Sequence, residues 1–285
     1  MASHAAKVAC FRRHTRKLMQ SMIVICEIIV YFIGFGLLYY IIREFTCENF
    51  VKLIGWKGFM FFSFIGTPIH ELAHLITALI FGHEIVDFVL FSPVRAKQTG
   101  ELGHVNHSYN KKSLYQKAGN FFIGVAPMIV GVITIILLLK FMFPEYTNSI
   151  IPQSTGAINL TFILEIPKNM FINIGKLMVF NDYRLYLLLF LSINIVLHMS
   201  ISMADLKNSV IGIVSLIIFS FILIFVSVFI FNPATVISFI SFILYYLVFG
   251  LIFGLVILLT MMIISTIFVL TKNIVRRISR QRARV

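Results

Sequence analysis

Residues 58–82 read Gly58-FMFFSFIGTPIHELAHLITALIF-Gly82. The stretch is apolar almost throughout and longer than the roughly 20 residues that an α-helix needs to cross a hydrocarbon core. Its ionisable groups are His70, Glu71 and His74. Such groups are costly at membrane depth and mark working positions. The run predicts a membrane helix that carries a site.

The composition points the same way. Of the 285 residues, 59% are hydrophobic and 12% charged, against about 25% charged in a soluble domain. The mean hydropathy is +0.97, and no polar stretch is long enough for a soluble domain of 100 or more residues. The expected class is an all-α integral membrane protein. The net charge of +13 collects at the chain ends and in one loop, as the positive-inside rule produces. No basic domain exists to carry nucleic-acid binding, so that class is excluded. Cys10, Cys26 and Cys47 are odd in number and lack metal-site spacing, so no disulfide framework is expected. The first apolar run is too long for a signal-peptide core and lacks a small-residue cleavage site; it reads as a retained first helix.

Apolar runs cover residues 21–42, 58–82, 118–141, 185–204, 210–231 and 236–270, predicting about six transmembrane helices. With the N-terminus in the cytosol, 17 of the 24 basic residues fall on the cytosolic side. Both ends are basic, so the expected organisation is a cytosolic tail over residues 1–20, one polytopic membrane domain over 21–271 and a second cytosolic tail over 272–285. The last run is longer than one span needs and is expected to extend into the cytosol. Its Gly250 and Gly254 form a Gly-x-x-x-Gly pair, a spacing common by chance in apolar sequence; it is read as incidental. The cytosolic loop after the second run has strand-like segments at 86–91 and around 102–105, punctuated by Pro93, Gly100 and Gly103, which predicts a small β-hairpin. In the outer segment 146–183, residues 158–180 read as an interfacial or re-entrant helix.

His70-Glu71-Leu72-Ala73-His74 is a His-Glu-x-x-His motif. On a helix, residues four apart share a face, so both imidazoles reach one zinc ion and Glu71 sits beside them as general base on a zinc-bound water. Scattering 8 histidines and 8 glutamates at random over this length gives roughly 0.006 such motifs, so the pattern is specific. Zinc needs a third protein ligand and one open position. Asn194, His198, Ser202 and Asp205 are spaced to form a polar stripe along one helix face of the fourth run. Asp205 or His198 is the third ligand, and depth on an ideal helix favours His198. His83, His104 and His107 read as loop bystanders.

These residues resemble the site-2 protease family of intramembrane zinc metalloproteases. The resemblance covers residues 58–209: the His-Glu-x-x-His helix, the strand-like segment after it, and a next helix that opens Ala118-Gly119-Asn120 and reaches Ala126-Pro127. In that family an Asp on a later helix completes the zinc site within an Asn…Pro…Leu-Asp-Gly pattern, which places Asn194 and Asp205 in the corresponding roles. The chain departs from the pattern at Ala204-Asp205-Leu206 and lacks the Pro, as a divergent member would. The resemblance implies hydrolysis of peptide bonds in or near the bilayer, with a membrane protein or peptide as substrate held in extended form along the hairpin edge. Asn120 or Asn194 would steady the substrate or oxyanion. The competing reading is a non-proteolytic membrane protein, a metal transporter or pseudoprotease using the same His/Asp site. A third is a membrane peptidase acting on soluble or lipidated peptides in a chamber. Small loops and an Ile/Phe/Lys bias suggest a bacterial plasma membrane.

Overall fold

The computed structural model describes residues 2–145, 160–179, 182–200 and 233–282, together with Ser202, Asp205, Lys207, Gly212, Val214, Ser215 and Ile218. The described fold is mostly helical, with one small sheet. Helix α1 (Ala2–Phe61) leads into α2 (Gly66–Ile80). Strand β1 (Glu84–Val89), helix α3 (Pro93–Thr99) and strand β2 (His104–Ser108) follow. Then come α4 (Leu114–Met142), α5 (Leu160–Val179), α6 (Tyr183–Val196) and α7 (Pro233–Arg282).

Two helical stretches are long and apolar enough to cross a membrane, α4 and Tyr245–Gln281 within α7. A third is a broken pair, Gly34–Phe61 with α2, bent by 59°. This differs from the expected second span, which runs unbroken over 58–82. Gly55 takes φ 72°, a left-handed conformation that interrupts helical geometry inside α1. A turn at residues 62–65 then re-aims the chain. Its cause lies at the start of α2: a Cβ on Gly66 would sit 2.0 Å from the Asn194 carbonyl oxygen, so α2 begins pressed against α6. The expected fourth span is also shorter, because α6 ends at Val196. The expected fifth span, 210–231, lies mostly outside the described residues. The sixth falls within α7, which continues to Arg282. Residues of the expected outer helix form α5, with Pro167 inside it.

Helix α4 runs through the core. Its Met128, Ile135 and Leu139 are buried together with Ile166 of α5, Leu185 of α6 and Phe249 and Leu258 of α7. The two glycines of α7 are packing devices and not incidental. A Cβ on Gly250 would lie 2.3 Å from Val132 Cγ1, and one on Gly254 2.2 Å from the Tyr39 hydroxyl. The Tyr39 hydroxyl, fully buried, donates to the Leu251 carbonyl at 2.8 Å, so α1 reaches the backbone of α7 because nothing larger than glycine intervenes.

Strands β1 and β2 pair antiparallel, with Phe88 opposite Val105, Val89 opposite His104, and an irregularity between Ile85 and Asp87. The expected hairpin is present. It starts two residues earlier than the apolar pattern suggests and has α3 inserted at its tip. Ser92 caps α3 by accepting from the Arg95 amide, and Gly100 closes it at φ 81°.

Gly250→Leu should lower stability by about 1–3 kcal/mol through overpacking against α4. Gly34→Leu, where a Cβ meets nothing within 4 Å, should leave it nearly unchanged. Thermal unfolding of the two variants in detergent checks this.

Candidate metal centre

Helix α2 buries Thr67, Glu71, His74 and Ala78 on one side, a four-three-four spacing that keeps one face inward. Leu72, Ile76, Leu79 and Ile80 point outward. The helix ends sharply. Gly82 takes φ 71°, the His83 amide donates to the Ala78 carbonyl, and the Gly82 amide donates to Leu79. This glycine-terminated cap turns the chain back into β1, over the face that carries the motif.

His70 Nδ1 donates to the His198 carbonyl at 2.6 Å, and His74 Nδ1 donates to the Ile123 carbonyl at 2.9 Å. A carbonyl oxygen only accepts, so both neutral rings carry their proton on Nδ1 and present a lone pair on Nε2. The two Nε2 atoms stand 3.1 Å apart. Asp205 Oδ2 lies 3.6 Å from His74 Nε2. Three electron-pair donors thus converge, all within 4.8 Å of one another. In a tetrahedral zinc site, nitrogen ligands at 2.0–2.1 Å would stand about 3.3 Å apart, and the observed separations bracket that value. The backbone carbonyls that hold the rings are the outer partners such a site needs, and Ser202 adds another by donating its hydroxyl to Asp205 Oδ2 at 2.5 Å. Among the described residues this is the one such grouping, and its donor set fits a divalent metal.

Asp205 joins the group and the His198 imidazole does not. Depth on an ideal helix favours His198, but α6 stops at Val196 and residues 197–198 form a turn. The stripe from Asn194 to Asp205 is therefore not one helix face. His198 contributes its carbonyl to His70, and its ring Nε2 is buried without a hydrogen-bond partner.

Glu71 is buried beside the group but is not part of it. It shares with His70, His74 and Asp205 the wall of a cavity of about 600 Å³. Arg43 of α1 and the hairpin residues 100–107 close the other sides. A Cβ on Gly103 would fall 2.7 Å from Glu71 Cγ, so only glycine lets the hairpin sit this close to the glutamate. Asn120 and Asn194 are buried outside the cavity lining, and Asn194 Nδ2 donates to the Phe190 carbonyl.

The loop histidines are not bystanders in the fold. His83 Nε2 donates to the Gln116 carbonyl at 2.8 Å, its Nδ1 meets His107 Nδ1 at 3.0 Å, and Tyr109 stacks on its ring. Burial lowers the His83 pKa. Burial, and then the neighbouring His83, lower that of His107 to about 4. The alternation of the hairpin carries a signal for this, since His107 lies opposite Ile85, two residues from His83.

No protein-family model, curated protein or solved structure matches the chain.

The His83–His107 pairing sets a pH dependence. The unfolded histidines bind protons below about pH 6.5 while folded His107 resists protonation to about pH 4. The unfolded state then binds more protons in this interval, so stability falls as pH drops through it. Melting temperatures measured from pH 7 to pH 4 should decline, and His107→Gln should flatten the decline.

Proposed function

We propose that this chain is a multi-pass membrane zinc metallopeptidase of the site-2 protease type, acting on peptide bonds in or beside the bilayer. The carrying observation is the convergence of His70 Nε2, His74 Nε2 and the Asp205 carboxylate on one wall of a cavity that also holds Glu71. His70, His74 and Asp205 would hold the metal. When bound, a zinc ion supplies Lewis-acid polarisation of a carbonyl and acidifies water.

The side chains of the protein do the rest. Glu71, close to the two imidazoles yet outside the ligand set, accepts the proton of the attacking water on its carboxylate oxygen. It returns that proton to the leaving amine nitrogen. The carbonyls of His198 and Ile123 keep both imidazoles in one tautomer throughout. Buried walls limit competing water. The substrate is a membrane-embedded or membrane-adjacent protein or peptide. A helix hides its carbonyls in its own hydrogen bonds, so the scissile segment is extended. The two-stranded sheet leaves each strand an edge on which such a segment can add.

The six-span organisation with both termini cytosolic belongs to the same proposal. It rests on the six apolar runs and on the basic residues gathered at both ends. A bacterial plasma membrane is the proposed location.

Glu71→Gln should retain zinc and lose cleavage of casein by about 10²-fold or more, measured with purified protein in detergent. Full cleavage by that variant contradicts the mechanism. Zinc flux through reconstituted protein, unchanged by Glu71→Gln, would favour the transporter reading.

A further inference from the structure

The hairpin brings a second pair of functional groups to the cavity. Asp87 lies on β1 and His104 on β2. The register sets Asp87 opposite Asn106 and Val89 opposite His104, so Asp87 and His104 are diagonal neighbours on one face of the sheet. His104 Nε2 meets Asp87 Oδ2 at 2.7 Å. The two ends of the pair differ in environment, with the Asp87 side chain 58% exposed and that of His104 only 11%. His104 lines the cavity that holds Glu71 and the candidate metal ligands. Its Nδ1 is buried and has no hydrogen-bond partner.

Three consequences follow from this chemistry. An ionised carboxylate only accepts hydrogen bonds, so Nε2 carries a proton and Nδ1 is the nitrogen left for other work. A buried polar atom without a partner is unfavourable, and a substrate group entering the cavity would satisfy it. The carboxylate also favours the imidazolium form, in which Nδ1–H is a charge-assisted donor. Location adds a further constraint. Gly103, the residue before His104, lies against Glu71, where a Cβ would fall 2.7 Å from Cγ. The dyad therefore reaches the cavity within one residue of the proposed general base.

We propose that His104 is a further catalytic residue, donating a hydrogen bond from Nδ1 to the substrate carbonyl oxygen as that oxygen gains negative charge, and that Asp87 is the positioning residue that holds the ring by Nε2. This rests on the hydrolase reading above. No proton need be transferred, because the donor acts by stabilising charge that is larger in the transition state than in the bound substrate.

The test compares wild type, His104→Ala, Asp87→Asn and Glu71→Gln as zinc-loaded full-length protein in detergent. With casein as substrate, His104→Ala should lower kcat about 10²-fold with little change in KM and no change in zinc content. Asp87→Asn, which keeps a hydrogen-bonding side chain, should lower it by about 10-fold. A binding measurement supplies a readout apart from turnover. N-phosphoryl-Leu-Trp mimics the charged tetrahedral oxygen, and Leu-Trp is the uncharged control. His104→Ala should weaken the first about 10²-fold and leave the second unchanged. Equal loss of both ligands, or loss of zinc, makes the pair a structural staple of the hairpin and overturns the proposal. Unimpaired turnover in His104→Ala beside lost turnover in Glu71→Gln overturns the dyad alone. Casein cleavage insensitive to Glu71→Gln overturns the hydrolase reading instead.

Discussion

Two imidazole protons given to two backbone carbonyls fix the arrangement of this molecule. His70 Nδ1–H is committed to the carbonyl of His198 and His74 Nδ1–H to that of Ile123. The acceptors belong to different parts of the fold, one in the turn after α6 and one in α4. Each bond ties α2 to a neighbour, and together they leave two Nε2 lone pairs facing the same point. Electron pairs so close repel unless a cation or proton lies between them. The tertiary contacts and the donor geometry are therefore one constraint. Gly66, with no room for a side chain beside the Asn194 carbonyl, lets α2 approach closely enough to satisfy it.

The hairpin extends this arrangement to the other side of the cavity. The glycine cap of α2 reverses the chain into β1, β2 returns it, and Gly103 brings it against Glu71. The segment next to the glutamate is a short, half-exposed sheet, not another membrane helix. A sheet offers unpaired backbone groups to an extended chain, whereas a helix has none to offer. His83, bonded at once to α4 and to His107 of β2, anchors the hairpin at its base.

The parts written in local pattern were legible in the sequence. The four-residue spacing of His70 and His74 places both rings on one helical face wherever that helix lies, and alternation with punctuating glycines reveals the hairpin. What was not legible depends on where helices stop. The choice between His198 and Asp205 turns on α6 ending at Val196, and nothing in the apolar run up to Ala204 announces that end. The break between α1 and α2 was hidden for the same reason: residues 62–65 are as apolar as their surroundings, and the bend comes from contact with α6. Gly250 and Gly254 show the converse limit. Their spacing is visible, but only the facing Val132 and Tyr39 make it meaningful. His104 looked like a loop histidine because its partner Asp87 lies across the sheet, 17 residues away.

The central claim is that His70, His74 and Asp205 together hold a metal ion, with the His198 side chain outside the set. Zinc content of the purified protein, measured beside Asp205→Ala and His198→Ala after identical dialysis, tests it most directly. The account predicts one zinc per chain in wild type, near-complete loss in Asp205→Ala and retention in His198→Ala. Zinc retained by Asp205→Ala and lost by His198→Ala would contradict it.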